Sequence, residues 1–307
     1  MKVSIIISNY QGRKYLSKCL TNLMNQTYRN YEVIFVDAGS TDGSVEFVLK
    51  NFPEILVIEA GRVGVGEAIN LGIKASSGEI ISFDFNTDEY VFNNWVEELV
   101  KQLKKFEFNI ITGTTRLIYG TNLIDEAGVN INYLGHGKKV GHKKSIDTFI
   151  FKETPVIYVG SPTFHREILQ KVGFVDEDYF IYTEDLDFCY RGKLMGFPTY
   201  CASKARSYHH ISGTTGENIR NYEYYLKRAR IRFSIVYFRI FRMYISLLFN
   251  CGFSPFATLL RSFIYPKKYH YFIEKFLGNI MAIKWNFIHL RNTLKRRKQI
   301  ELLTINE

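Results

Sequence analysis

The sequence predicts an α/β protein built on a doubly wound, mostly parallel sheet, and three observations predict it. Apolar, strand-length runs alternate with helix-period segments in the order β-α-β-α-β-α-β. Each apolar run ends in polar or glycine-bearing turn residues, where a parallel sheet opens its ligand crevice. The 307 residues, 46% hydrophobic and 23% charged, suffice for a sizeable core, as one large domain or one domain with an appendage.

VSIIISNY is the first predicted strand, ending at Ser8, Asn9 and Tyr10, and RKYLSKCLTNLMNQT follows with Leu16, Leu20, Leu23 and Met24 on one helical face. YEVIFVDAGSTDGS reads as a strand entering a Gly/Ser/Asp turn, then a helix to about Lys50. Asp37 ends that strand, where a carboxylate can accept from a pyrimidine N3–H or can order the turn itself. ILVIEA is a third strand, and GRVGVGEAINLGIKASSG a glycine-bearing loop with a short helix. Gly64 to Gly66 can approach a phosphate, and Asn70 with Gly72 reads either as ligand contact or as helix packing and a bend.

EIISFDF is the fourth strand, and its closing turn, FNTDEY, is the chemically richest stretch. Asp84, Asn86 and Asp88 there are hard oxygen ligands suited to Mg²⁺ or Mn²⁺ carrying a diphosphate, or else an Asx turn before the next helix. WVEELVKQLKKF is an amphipathic helix and NIITGTTRLIYG a further strand. The span from Asn122 to Thr154, with YLGHGKKVGHKK, reads as a solvated loop or an acceptor-side flap. Next come a strand, the helix FHREILQKVG, and a helix that Thr183 can N-cap, with Glu184, Asp185 and Asp187 in its first turn. TYCA reads as a short strand before His209 and His210.

The net charge of +10 is unevenly placed: residues 218–307 hold 17 Lys+Arg and 4 Asp+Glu, against 23 and 26 in residues 1–217. This basic tail, rich in Phe, Tyr and Ile, predicts interfacial helices on an anionic membrane, with a packing appendage or homo-oligomer interface as the alternatives. Five arginines from Arg228 to Arg242 interrupt its apolar runs, so no spanning helix is expected. No nucleic-acid motif accompanies the charge. Four scattered cysteines without a CxxC pair fit a reducing cytosol, and the opening directly on a strand predicts no signal peptide.

In order and spacing these blocks resemble the inverting glycosyltransferases of family 2, over roughly residues 3–215. The resemblance rests on the opening through DAGSTDGS, on INLGIKASSGEII, on FNTDEY in place of a DxD turn, and on VGFVDEDYFIYTEDLDFCYRGKLMGFPTYCASKARSYHH with its ED pair, Arg-x4-Gly and closing His. The GFVDED and EDLD phrasing and the basic aromatic tail are similar to a rhamnosyltransferase-like branch. The resemblance implies a GT-A fold over residues 1–215 and a helical C-terminal region over 216–307, membrane-associating or oligomerising. It implies a cytoplasmic enzyme, peripheral at the inner face of the plasma membrane. Its donor would be a UDP-, dTDP- or GDP-linked sugar, and its acceptor a glycan or lipid-linked hydroxyl. Carried over by position, Asp185 is the general base. Ser8, Tyr10, Asp37, Asn70 and Arg191 bind the donor, and Asn86, Asp88 and His209 hold Mg²⁺ or Mn²⁺. Two departures stand out. Asn replaces Asp at the first DxD position, and the preceding strand is one residue longer than the family's, leaving Asp84 as an alternative ligand to Asn86. A non-catalytic nucleotide-sugar-binding or membrane-scaffold protein is the rival reading.

Overall fold

The computed structural model describes residues 1–85, 87–210 and 218–305. The chain forms two compact units. The first comprises Met1–Asn130, Lys138–Phe180 and Glu184–Thr214; the second comprises Ile131–Gly137, Ile181–Thr183 and Thr215–Glu307.

The first unit opens with β1 (Val3–Asn9), α1 (Arg13–Met24), β2 (Tyr31–Asp37), α2 (Ser44–Asn51), β3 (Leu56–Glu59), α3 (Val65–Ala75) and β4 (Ile80–Phe85), the predicted alternation. These four strands are parallel in the order β3-β2-β1-β4. The strand order reverses beside β1, and such a switch point opens a crevice at the strands' carboxyl ends. β1 is buried on both faces. Ile5 and Ile7 pack with Leu16, Leu20 and Leu23 of α1, while Ile6 packs with Ala68, Ile69 and Ile73 of α3.

The chain continues through β5 (Glu89–Val91), α4 (Trp95–Lys105), β6 (Ile111–Ile118), β7 (Ile124–Glu126), β8 (Val129–Ile131), β9 (Gly137–Lys139), β10 (Gly160–His165), α5 (Ile168–Val172), α6 (Glu184–Leu194) and β11 (Thr199–His209). Beyond β4 the sheet turns mixed: β10 runs antiparallel between β4 and β6, β11 lies parallel to β6, and β5 closes antiparallel on β11. Three local expectations are corrected here. Phe164 and His165 are strand residues paired with Ile81 and Ile80, so the predicted helix over FHREILQKVG begins only at Ile168. The short strand TYCA instead runs eleven residues, because β11 crosses a register shift between Ala202 and Arg206 and resumes pairing with β6. That continuation sets His209 opposite Glu89. The Asn122–Thr154 span is pinned rather than free, with Lys139 and His142 both bonded to Asp125.

The extra residue before the FNTDEY turn is absorbed as an irregularity in the β1–β4 pairing. Ile5 pairs with Ser82 and Ile7 with Phe85, so two steps along β1 match three along β4.

The second unit holds α7 (Ile219–Tyr237), α8 (Ile240–Leu247), α9 (Ser254–Ile264), α10 (Tyr269–Ile288) and α11 (Leu290–Ile305). A π-helical turn over Leu248–Phe253 joins α8 to α9, so Ile240–Ile264 is one helix of 25 residues. By length and composition it could cross a membrane, which corrects the expectation that no such helix exists. The reason is local: α7 ends at Tyr237, and of the interrupting arginines only Arg242 falls inside the new helix. Gly278 of α10 sits so close to α7 that a Cβ there would lie 2.5 Å from the Arg220 carbonyl oxygen.

Gly72 is where α3 meets β1, and a Cβ there would lie 2.4 Å from Ile6 Cγ2 and 3.2 Å from Val36 Cγ2. Gly72→Ala gains about 1 kcal/mol of helix propensity but overpacks at a cost of about 1–3 kcal/mol. The variant should therefore lose up to about 2 kcal/mol, read as a lower Tm in thermal unfolding; an unchanged or higher Tm would show that the contact has slack.

Candidate active site

At the ends of β1 and β2 the turn is organised by one carboxylate. Asp37, buried, accepts from Asn9 Nδ2 (2.7 Å) and Ser40 Oγ (2.6 Å) on Oδ1, and from the Ser40 and Gly39 amides (2.7 and 3.1 Å) on Oδ2. Through these four bonds Asp37 orders the turn in this structure. Ser8 pairs with Val36 one residue before Asn9, Tyr10 is exposed, and Gln11 N also bonds Ser40 Oγ at 2.9 Å. Asn9 Oδ1 is buried without a hydrogen-bond partner.

Two residues expected at the donor are engaged by protein groups. The Asn70 side chain bonds both backbone polar groups of Val175 (3.0 Å each) and Glu177 Oε1 (2.8 Å), tying α3 to the 175–180 segment. Arg191, 1% exposed, bonds Asp187 Oδ2 (2.8 Å) and the carbonyls of Val172 and Phe174, stapling α6 to the end of α5. The glycines of GVG likewise approach protein. A Cβ on Gly64 would lie 2.9 Å from the Phe180 carbonyl oxygen, and one on Gly66 3.2 Å from that of Asp176.

The FNTDEY turn and the end of β11 meet directly. Asn86 and the Asp84 side chain lie outside the described residues. Asp88 is buried, its carbonyl accepts from His210 N (3.1 Å), and its Oδ1 lies 3.8 Å from His209 Nε2. His209 Nδ1 bonds Asp125 Oδ2 at 3.2 Å, and Lys139 Nζ bonds Asp125 Oδ1 at 2.6 Å. Against the upward push of burial, His209 and Lys139 hold the Asp125 carboxyl well below its ordinary value. With Nδ1–H on Asp125, Nε2 turns a lone pair toward the Asp88 carboxylate, an opposition relieved by a proton or by a bound cation. Asp88 and His209 offer two donors, a carboxylate oxygen and an imidazole nitrogen whose ring Asp125 orients. Among the described residues no group of three His, Cys, Asp or Glu could hold a metal ion, so these two alone do not complete a site.

Behind this pair runs a buried charge chain. Arg116 bonds Glu89 Oε2 through Nε (3.2 Å) and Nη2 (3.0 Å), and Glu126 Oε1 through Nη1 (3.3 Å). Lys139 lies 3.7 Å from Glu126, and Ser207 Oγ donates to Glu89. Arg116 is held in place from behind: a Cβ on Gly160 would lie 2.3 Å from its Cζ.

Arg116 also acts on the carboxylates of both halves of the site, Asp88 and Asp185. Burial raises the pKa of each. Asp185, at the start of α6, accepts from Leu186 N at 2.6 Å, a bond that with Arg116 opposes the rise. Glu184 is more deeply buried, Oε2 has no hydrogen-bond partner, and burial with the Asp185 charge raises it further than Asp185. Both acids of the pair therefore hold a proton more tightly than exposed carboxylates do, and they titrate as a pair. Burial and Asp185 also push the Tyr158 hydroxyl well above its ordinary value, so it stays a donor. The backbone before this pair is strained. Phe180, Tyr182 and Thr183 have φ of 66°, 65° and 75°, the last a β-branched outlier outside the extended backbone of an N-cap.

Arg116, Asp125, Glu126 and Tyr158 escaped the sequence reading. The only signal was negative: a charged side chain in the strand ITGTTRLI, and two adjacent acids in LIDEA, which burial would oblige to pair.

The description "Glycosyl transferase family 2" matches residues 4–173, more than half of the chain. The glycosyltransferase GlyA of Streptococcus pneumoniae serotype 4 is 35% identical over 116 residues, which are 36% of this chain and 16% of GlyA. The chain thus matches under a fifth of that relative's length. Among solved structures, a mannosyltransferase from Pyrobaculum calidifontis in complex with GDP-Man and Mn²⁺ superposes with a TM-score of 0.57 at 15% identity, covering 93% of this chain and 86% of that one. GalNAc-T7 with UDP, GalNAc and Mn²⁺ gives 0.58 at 17% identity, covering 76% and 51%. These neighbours share the GT-A fold, and with the family match over the strands and turns just described, the chain belongs to glycosyl transferase family 2.

Proposed function

We propose that the chain moves a sugar from a nucleoside-diphosphate sugar to an acceptor hydroxyl of a glycan, with inversion, using Asp185 as base and Asp88 with His209 at the diphosphate. The observation that carries this reading is the meeting of Asp88 with His209, whose Nε2 lies 3.8 Å from Asp88 Oδ1 with Nδ1 bonded to Asp125, at the carboxyl end of the strands. In support, two solved neighbours hold a nucleotide or nucleotide sugar together with Mn²⁺.

The reaction is a single displacement. The acceptor oxygen bonds the anomeric carbon, the bond to the diphosphate oxygen breaks, and the hydroxyl proton passes to Asp185. A hydroxyl is too weak an acid to attack unaided, and a positioned carboxylate contributes typically about 10²–10⁴-fold. The raised pKa of Asp185 makes it a stronger base than an exposed aspartate. When bound, a divalent cation would neutralise charge on the leaving diphosphate. Asp88 and His209 would hold it, and Asp125 fixes the imidazole so that Nε2 faces it. Ser8 and Tyr10 line the rim toward the nucleotide. The sugar is proposed from the rhamnosyltransferase-like phrasing GFVDED, so dTDP-rhamnose heads the donor panel, before UDP-sugars and GDP-mannose.

Three outcomes are expected. Asp185→Asn should lower transfer by at least about 10²-fold while donor binding, read by thermal shift with nucleotide sugar and Mn²⁺, is kept; full activity would remove Asp185 from the role. The transfer rate should fall as pH drops through the raised pKa of Asp185, because the base is lost on protonation, with the inflection well above the 3.8 of an ordinary aspartate; a flat acid limb in a pH–rate profile would contradict this. Asp125→Asn should raise the Mn²⁺ concentration for half-maximal activity about 10–100-fold and spare the rate at saturation, whereas an unchanged requirement would separate His209 from the metal.

A further inference from the structure

One helix of the second unit, Ile240–Ile264, has its polarity reversed. Along Ile240–Ile264, the exposed side chains include Phe241 (73%), Tyr244, Leu248 (73%), Phe253, Phe256, Leu260 and Phe263. The buried side chains of this helix are Ser246, Asn250, Pro255 and Ser262. Beside apolar residues such as Phe233 and Phe238, the unit buries further polar groups: Lys227 bonds Asn250 Oδ1 (3.3 Å) and Ser254 Oγ (2.9 Å), Arg232 bonds Thr293 Oγ1 (3.0 Å), and Asn279 and Asn286 are buried with an amide oxygen lacking a partner. A water-facing helix buries its large apolar residues and exposes its polar ones, and along Ile240–Ile264 the order is inverted.

Charge identifies the medium. Among the described residues from Arg239 to Glu301, Arg239, Arg261, Lys267, Lys268, Lys284, Arg291, Lys295 and Lys298 are exposed, against one exposed acid, Glu301, which pairs with Arg297. Aromatic and aliphatic residues on one face, with a predominantly cationic rim, complement a lipid surface carrying negative headgroups. The apolar face is one-sided, and the opposite face is tied to Lys227 through Asn250 and Ser254, so lipid can meet the helix on one side alone.

We infer that the Ile240–Ile264 helix lies in the plane of an anionic bilayer, sinking Phe241, Leu248, Phe256 and Phe263 into one leaflet while Lys267, Lys268 and their neighbours meet the headgroups. The inference is independent of the proposed reaction. It is tested by flotation of the full chain with vesicles of phosphatidylcholine, with and without phosphatidylglycerol. Wild type should float with the anionic vesicles and less so at high salt. Lys267→Glu/Lys268→Glu should lower partition about tenfold or more at low salt. Phe241→Asp/Leu248→Asp/Phe256→Asp, at exposed positions, should stay soluble and unbound, with the wild-type melting transition showing that it folds. Three results would overturn the inference: wild type that ignores both vesicles, a dimer broken by the triple variant with no flotation, or protein that resists alkaline carbonate extraction and so spans the bilayer.

Discussion

A buried guanidinium anchors the catalytic unit. Arg116 lies in a strand closed in on both faces, and its donors go to Glu89 and Glu126, acids from two other strands. Removing such a charge from water is expensive unless its partners come with it, so β5, β6 and β7 fix one another's positions through this cation. What it fixes is the turn that precedes β5 and the strand that ends at His209. The same charge reaches Asp185, so the acid that would take a proton and the acid that would face a cation share a common electrostatic support.

Around that support the backbone is held at a few close approaches. Gly160 leaves room for the Arg116 guanidinium, and Gly64 and Gly66 let the 175–180 segment lie against α3. That segment leads into three non-glycine residues of positive φ immediately before Glu184. Strain of this kind persists only where the surroundings over-determine it, here through Asn70 and Arg191, which grip the segment and the end of α5 from opposite elements. Asn70 and Arg191 thus hold the stretch that leads into α6 in place.

The two units answer to different surroundings. The first follows the water rule, with apolar side chains on both sheet faces packed under helices. The second buries apolar residues such as Ile231, Phe233 and Phe238 together with Lys227, Arg232 and a set of amides and hydroxyls, while the Ile240–Ile264 helix turns phenylalanines outward. In both units burial of apolar side chains supports the fold; in the second, hydrogen bonds among buried polar groups add to it, and one helix keeps an apolar face exposed.

The sheet's first half was legible because its strands and helices depend on local periodicity and turn chemistry, which neighbouring residues carry among themselves. The Asp88–His209 encounter was legible only as a resemblance, since 121 positions separate the two residues and nothing local joins them. Arg116, Asp125 and Glu126 were not legible, because a lone charge in a strand has no meaning until its long-range partners are known. The roles of Asn70, Arg191 and Asp37 were decided by tertiary structure for the same reason. Each residue type suits both a ligand and a packing contact, and only the position of a distant backbone carbonyl or amide determines which demand its hydrogen-bonding groups meet.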